Sequence, residues 1–147
     1  MRLLTPLILL AFALVPVFAH EHAEVGPYSL AIGQRLEPAM TNMVNGLDLI
    51  ITNKADNSPV EGAEKGLTVE IIAPNGTKRT FSADGKYGPN SLWAQYGQKG
   101  RYTTAWILTV PGQYQVHIFG QIGETKVDVT VGGRTWLIPN SADYTLK

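Results

Sequence analysis

Histidine is the side chain in this sequence best suited to hold a metal ion, and two of the three histidines occur in His20-Glu21-His22. If His20 becomes the first residue of a processed chain, its free amine can bind Cu(II) with the amide nitrogens of Glu21 and His22 and the His22 imidazole. Four nitrogens in one plane suit Cu(II) or Ni(II). A second arrangement uses the amine and ring of His20 with another imidazole, for which His117 is the candidate outside the tripeptide. The two arrangements compete for one amine, so we expect one at a time.

The start of the chain has the pattern of a secretory signal peptide. Arg2 provides a positive charge, Leu3 to Val15 is mostly apolar, and Val17-Phe18-Ala19 fits a small-residue cleavage motif. We therefore predict that residues 1–19 are removed and that His20 is the mature N-terminus; an uncleaved membrane anchor is the alternative. In an exported protein, the absence of cysteine favours the bacterial periplasm or secretion from a bacterium over a eukaryotic secreted module. No later apolar run has membrane-spanning length, so we expect no membrane span after cleavage.

Three further side chains are candidate metal ligands, each with a structural alternative. Met40 and Met43 form an M-x-x-M pair whose thioethers suit Cu(I). The same methionines can instead close one end of a sandwich. His117 lies in a predicted strand over residues 113–120, where alternation places it on the more polar face. A solvated or locally hydrogen-bonded histidine is the alternative to a ligand there.

Aromatic residues are concentrated in one part of the chain, which includes Tyr87, Trp93, Tyr96 and Trp106. They can form an interaction surface for a sugar or a partner protein, since aromatic side chains are enriched in interface cores. The alternative is a satellite cluster that packs on one end of the domain.

The composition excludes several functional classes. Twelve basic and 12 acidic residues give a formal net charge of zero, whereas a nucleic-acid partner needs a basic surface. The absence of cysteine excludes thiolate zinc sites, iron–sulfur clusters and disulfides. The sequence contains no Gly-x-Ser-x-Gly, phosphate-binding glycine loop or His-Glu-x-x-His, so we expect no enzymatic activity.

Short strands separated by turn residues make up the rest of the chain. Asn75-Gly76 between two β-rich runs is the clearest hairpin signal, and Pro111-Gly112 precedes Tyr114, which can cap a strand corner through its hydroxyl. The predicted strands cover residues 28–36, 46–53, 67–73, 77–82, 101–110, 113–120 and 124–131. About seven strands without an amphipathic helix predict an all-β, antiparallel, immunoglobulin-like β-sandwich. We expect one such domain over residues 28–147, preceded by a flexible segment over residues 20–27.

Five stretches of the sequence carry a likeness to known proteins: HEHAEVGPYSLAIG, Glu37-Pro38-Ala39, Asn45 to Leu49, Pro59-Val60-Glu61-Gly62 and GRYTTAWILTVPGQYQVHIFGQIGE. They resemble small exported bacterial proteins with a YtkA-like domain, an immunoglobulin-like sandwich related in architecture to the CopC copper carriers. Over most of residues 20–131, the resemblance implies that fold and a role in copper handling. The downstream Asp-x-His that completes the CopC site is missing here, so only His20 is carried over from that site.

The sequence thus predicts a small exported copper-binding or carrier protein whose metal site is formed by His20, Glu21 and His22. Copper is the expected cofactor and partner, with another envelope protein as an open second partner. The alternative function is a non-catalytic interaction or structural module of the envelope that has no metal site.

Overall fold

The computed structural model describes residues 19–146, and the strands in this range pair in antiparallel sheets. They are β1 (His20–Val25), β2 (Tyr28–Gln34), β3 (Val44–Asn45), β4 (Leu47–Asn53), β5 (Leu67–Ile72), β6 (Lys78–Ser82), β7 (Trp93–Ala94), β8 (Arg101–Thr103), β9 (Trp106–Ile107), β10 (Gly112–Gln113), β11 (Gln115–Ile122), β12 (Thr125–Val131) and β13 (Leu137–Ile138). Short 3-10 helices cover Ala63–Lys65, Arg134–Trp136 and Ser141–Tyr144. The predicted all-β, antiparallel fold is confirmed. The predicted signal peptide, residues 1–19, lies outside the described residues except for Ala19.

Two larger sheets contain nine of the strands. One has the order β1-β2-β4-β8-β7 and the other the order β12-β11-β5-β6, while β3 pairs with β9 and β10 with β13. Alternation along each strand sends apolar side chains to one face of each sheet. These faces share one core, which includes Leu30, Ile32, Leu47, Leu49 and Ile51 from the first sheet and Val69, Ile71, Val116, Ile118 and Val127 from the second. The polar side chains between them therefore lie on the outer faces of a β-sandwich.

The structure divides the chain into 13 strands, whereas the sequence predicts about seven. Six of the 13 have only two or three residues. The predicted strand over residues 101–110 is two strands, because β8 pairs with β4 and β9 pairs with β3. A change of sheet between them depends on partners that are distant in sequence, so local alternation does not reveal it.

The prediction of a flexible segment over residues 20–27 is wrong for most of its length. Residues His20–Val25 form β1, which pairs with β2 in a register that runs from His20 opposite Gly33 to Val25 opposite Tyr28. Ala23 and Val25 pack against the core. Two small apolar side chains give a weak local signal, and the strand forms because β2 offers a free edge to pair with.

Among residues 19–146, no helix is long and apolar enough to cross a membrane.

Candidate metal-binding site

His20 and Asp48 meet on the outer face of the five-stranded sheet. His20 lies opposite Gly33, and Gly33 lies opposite Asp48, so the three residues form a row across β1, β2 and β4. The middle position of this row has no side chain, and the imidazole of His20 extends across it. Nε2 of His20 lies 2.9 Å from Oδ2 of Asp48. A Cβ at Gly33 would lie 2.6 Å from Cδ2 of His20, so glycine is what permits this contact.

Asp48 is held in place by Arg101 on β8, the strand that pairs with β4 on the edge away from β2, and by Gln95, which follows β7. The Arg101 guanidinium donates from Nε to Oδ1 and from Nη2 to Oδ2, each at 2.5 Å, and Gln95 donates to Oδ1 at 3.3 Å. The Asp48 side chain is only 2% exposed. Burial acts to raise the pKa of Asp48, but the hydrogen bonds from Arg101 and His20 outweigh it and hold this pKa below its usual range. Asp48 is therefore a fixed carboxylate.

A second carboxylate lies near the same pair. Burial raises the pKa of Glu37, an effect that the negative charge of Asp48 increases and that His20 opposes when it is protonated. Glu37 thus adds negative potential at the end of β1 where His20 lies. Cations are favoured there over anions.

The contact with Asp48 determines which nitrogen of His20 remains available. A carboxylate acceptor favours a proton on Nε2, which leaves the lone pair of a neutral imidazole on Nδ1. Metal-binding histidines commonly donate their second ring nitrogen to a carboxylate in this way, which fixes the ring and increases its basicity. Nδ1 is also the ring nitrogen nearer to the backbone nitrogen of the same residue, so the two can form one chelate ring.

His22 shares a face with His20, whereas Glu21 does not. Residues two apart on a strand project to the same side, so the His20 and His22 side chains are neighbours on the outer face of β1. The Glu21 side chain projects to the other side, where its Oε1 accepts a 2.7 Å hydrogen bond from the Gly133 N–H. Of the predicted tripeptide, the structure therefore places the two imidazoles on one face of β1 and directs the Glu21 carboxylate to the other.

The strand conformation of β1 disfavours the four-nitrogen arrangement. That arrangement needs the amide nitrogens of Glu21 and His22 to face one ion. Successive N–H groups of an extended strand point in opposite directions, one towards the neighbouring strand and the next away from it. Both amides can turn to the same ion only if the first residues of β1 leave β2.

His117 lies on the opposite side of the molecule from His20. It is on the outer face of the four-stranded sheet, where Nε2 lies 2.8 Å from Oδ1 of Asp128 and the ring stacks on Phe119 with centroids 4.7 Å apart. Because the two sheets of a sandwich pack about 10 Å apart, His117 and His20 are separated by the whole core. The structure thus does not bring His117 to His20, and the predicted partnership of these two imidazoles is not formed.

Met40 and Met43 flank a turn at Thr41 and Asn42. Asn42 has a φ of 61° and donates its N–H to the Leu108 carbonyl. Met40 is half-buried, whereas Met43 is 43% exposed. Binding of Cu(I) by this pair stays a prediction.

The predicted aromatic surface is smaller than the sequence suggests, because Trp106 is a core residue. Trp106 is 3% exposed and packs edge-to-face between Phe81 and Trp136. Its inclusion in an interaction surface is therefore wrong: local sequence does not show that β9 turns this indole inward. Tyr87 and Tyr96 are exposed, and Tyr87 packs edge-to-face on Trp93 with centroids 5.7 Å apart.

In the part of the chain that the structure describes, no group of three His, Cys, Asp or Glu side chains is placed to hold a metal ion. A site at His20 therefore requires the α-amine as an additional donor. Comparison of the chain with family models, curated proteins and solved structures finds no match. The resemblance to YtkA-like and CopC-like proteins stays a prediction.

Sequence reasoning missed Asp48, Arg101, Gln95 and Glu37 as surroundings of His20. One local signal was present, since Asp48 interrupts the apolar run GLDLIITN and aspartate is disfavoured inside strands. Such a residue needs a partner, but the sequence does not show that the partners are 28 residues before it and 53 residues after it.

Proposed function

We propose that the protein is an exported copper-binding protein that acts as a carrier or buffer in the bacterial envelope. In this proposal, removal of residues 1–19 leaves His20 as the first residue. Its α-amine and ring Nδ1 bind Cu(II), and the His22 imidazole supplies a third nitrogen from the same face of β1. Nitrogen donors of this kind suit Cu(II), which also has the highest affinity among the divalent first-row metals.

The observation that carries this proposal is the hydrogen bond between His20 and the buried carboxylate of Asp48. It directs one ring nitrogen into the protein and leaves the other for a ligand, which is the usual support of a metal-binding imidazole. The Asp48 carboxylate is already bound twice by Arg101, so its role in the proposal is to orient His20 rather than to bind copper.

The position of the site is compatible with metal exchange. The His20 side chain is 26% exposed and His22 is exposed, so an acceptor can approach without unfolding the sandwich. Binding must displace a proton from the α-amine, whose ordinary pKa is about 7.7–8.0, so affinity should rise as the pH approaches this range.

The decisive experiment uses mature protein that begins at His20 without any added residue. Cu(II) titration in competition with a chelator should give a one-to-one complex with nitrogen coupling in its EPR spectrum. A four-residue Gly-Ser-Gly-Ser extension before His20 should abolish this complex, because the amine is then too far from the imidazoles to bind the same ion and no histidine stands at position two or three of the extended chain. His117→Ala, which changes a histidine on the opposite sheet, should leave the affinity unchanged. Equal affinity of the extended and authentic proteins would overturn the proposal.

N-terminal sequencing of the exported protein tests the premise of the proposal. The expected first residue is His20. A chain that begins at another residue or retains its leader lacks the proposed amine donor, and the copper proposal then fails.

A second candidate function, an interaction module of the envelope without a metal site, is favoured by an exposed apolar patch. The patch consists of Met43, Val44 and Ile107, each at least 43% exposed; Val44 pairs with Ile107 across β3 and β9, and Met43 directly precedes Val44. Contiguous exposed apolar residues often mark binding surfaces. A photo-crosslinking residue at position 44 should then give a discrete adduct with a partner protein in the envelope. The same residue at position 126, on β12 of the four-stranded sheet, should give no such adduct. The same adducts from both positions, or none, would contradict this candidate.

A further inference from the structure

Resting on the proposed copper site, we infer that Asp48 and Arg101 select its coordination mode by holding the first residues of β1 against the sheet. With β1 docked, copper is bound by the amine and the two imidazoles. With the first residues of β1 detached, the amine, two deprotonated amides and the His22 imidazole bind it in a plane. Asp48 and Arg101 are positioning residues in this scheme, since neither contacts the ion.

The strand β1 lies at one edge of the five-stranded sheet. The order of this sheet is β1-β2-β4-β8-β7, so the backbone of β1 is held by β2 on one side. Ends of edge strands open at low cost compared with global unfolding, because few contacts must be broken. His20 is the first residue of this strand, and its ladder partner Gly33 offers no side chain to pack against.

The hydrogen bond to Asp48 gives the His20 side chain a partner that Gly33, opposite it on β2, cannot provide. It joins β1 to β4 directly, and the carboxylate is itself fixed by the paired donors of Arg101 from β8. A bidentate arginine–carboxylate pair is geometrically rigid. His20 is thus tied to an anchor two strands away as well as to the neighbouring strand β2.

A second attachment lies on the other face of β1. Glu21 accepts the Gly133 N–H at 2.7 Å, which links the strand to the segment after β12. This contact holds the Glu21 backbone close to its extended conformation. The two side-chain contacts therefore act on His20 and Glu21, the residues that supply the amine and the first amide of the planar mode.

The two modes differ in the nitrogen donors that they use, so they can be distinguished spectroscopically at one pH. Copper bound to docked β1 has one amine and two imidazole donors. Copper bound to detached β1 has one amine, two amide and one imidazole donors, a stronger field that shifts the visible absorption to shorter wavelength and changes the EPR parameters. Global unfolding would also free these residues for the four-nitrogen mode, so the spectra are compared only between proteins whose circular dichroism shows that they are folded.

Two variants release His20 by independent means. Asp48→Asn removes the charge that the imidazole contacts, and Gly33→Ala places a methyl group where the ring lies, without touching Asp48. Asp128→Asn is the matched control, because it makes the same change in the His117–Asp128 pair on the opposite sheet. All are measured as mature protein beginning at His20, at pH 7, with one equivalent of Cu(II).

We expect Asp48→Asn and Gly33→Ala to raise the ratio of four-nitrogen to docked copper by about tenfold or more. The control, Asp128→Asn, should give the same ratio as the native protein. Hydrogen exchange should show faster exchange in β1 of the metal-free variants, with the core strand β11 unchanged. If Asp48→Asn does not fold, as judged by circular dichroism, Gly33→Ala alone decides the outcome.

The failures of the two proposals are distinguishable. If the native protein binds no copper, the proposed function fails, and this inference fails with it. If the native protein binds copper but a folded releasing variant shows the same spectrum, coordination is independent of Asp48 and the inference is overturned while the function stands. A four-nitrogen spectrum already present in the native protein also overturns it.

Discussion

The imidazole of His20 and the carboxylate of Asp48 are in hydrogen-bond contact although their strands are not neighbours in the sheet. β2 lies between β1 and β4, and it presents Gly33 at the level of the contact. The hydrogen bond between His20 and Asp48 passes over Gly33 and so connects β1 to β4 across β2 on the outer face of the sheet. The same carboxylate also binds Arg101, so His20, Asp48 and Arg101 form one hydrogen-bonded network.

The first prediction is that Asp48→Asn lowers the free energy of unfolding by about 1–3 kcal/mol in the absence of metal. The substitution leaves Arg101 without its carboxylate partner, and the cost is moderated because the arginine side chain is 35% exposed. Urea denaturation of the metal-free protein measures the change. Asp128→Asn should change stability by no more than about 1 kcal/mol, since Asp128 is 63% exposed. Equal losses in the two variants would contradict the prediction.

Core packing gives the second prediction, which compares two isoleucines. Ile118 is fully buried between the sheets, whereas Ile107 is 54% exposed. Ile118→Ala should lower the free energy of unfolding by about 2–5 kcal/mol, because it removes buried apolar surface and leaves a cavity. Ile107→Ala should change it by less than about 0.5 kcal/mol. Chemical denaturation of both variants checks this difference, and similar losses would show that the core is assigned wrongly.

Tyr114 gives the third prediction because its hydroxyl closes a strand corner. The hydroxyl donates to the Val110 carbonyl at 2.8 Å and accepts the Val110 N–H at 3.2 Å. Tyr114→Phe should lower the free energy of unfolding by about 1–2 kcal/mol, since it removes both hydrogen bonds at a buried position. Tyr96→Phe is the matched control, because Tyr96 is fully exposed. If Tyr114→Phe left the free energy of unfolding unchanged, the two hydrogen bonds of the hydroxyl would make no net contribution to stability, and the prediction would be wrong.

The fourth prediction concerns stability at alkaline pH. Burial raises the pKa of Tyr102, and the negative charges of Glu64 and Glu61 raise it further. The hydrogen bond that the Tyr102 hydroxyl accepts from the Ala63 N–H acts in the opposite direction. Above about pH 10, the unfolded chain loses the tyrosine proton more readily than the folded protein does, so the free energy of unfolding falls as the pH rises. Urea denaturation at several pH values from about 9 to about 11 should show this fall. Tyr102→Phe should make it less steep, and an unchanged slope would contradict the assignment.

Much of the sandwich could be predicted from local sequence. Asn75-Gly76 joins β5 and β6 as expected of a hairpin, with Gly76 at a φ of 82°. The alternation of Leu47, Leu49 and Ile51 matches their burial. These features are local: a turn and a period of two depend on the conformations of neighbouring residues and on one apolar face.

The candidate site shows where local reasoning stops. The sequence by itself determined that His20 and His22 share a face if they lie on a strand, and that no thiolate is present to compete with them. Only the tertiary structure decided that β1 is a strand, that Trp106 is buried in the core, and that Asp48 supports His20. The reason is that strand pairing brings together residues that are remote in the chain. Register across β1, β2 and β4, rather than spacing along any one of them, places the imidazole beside its carboxylate.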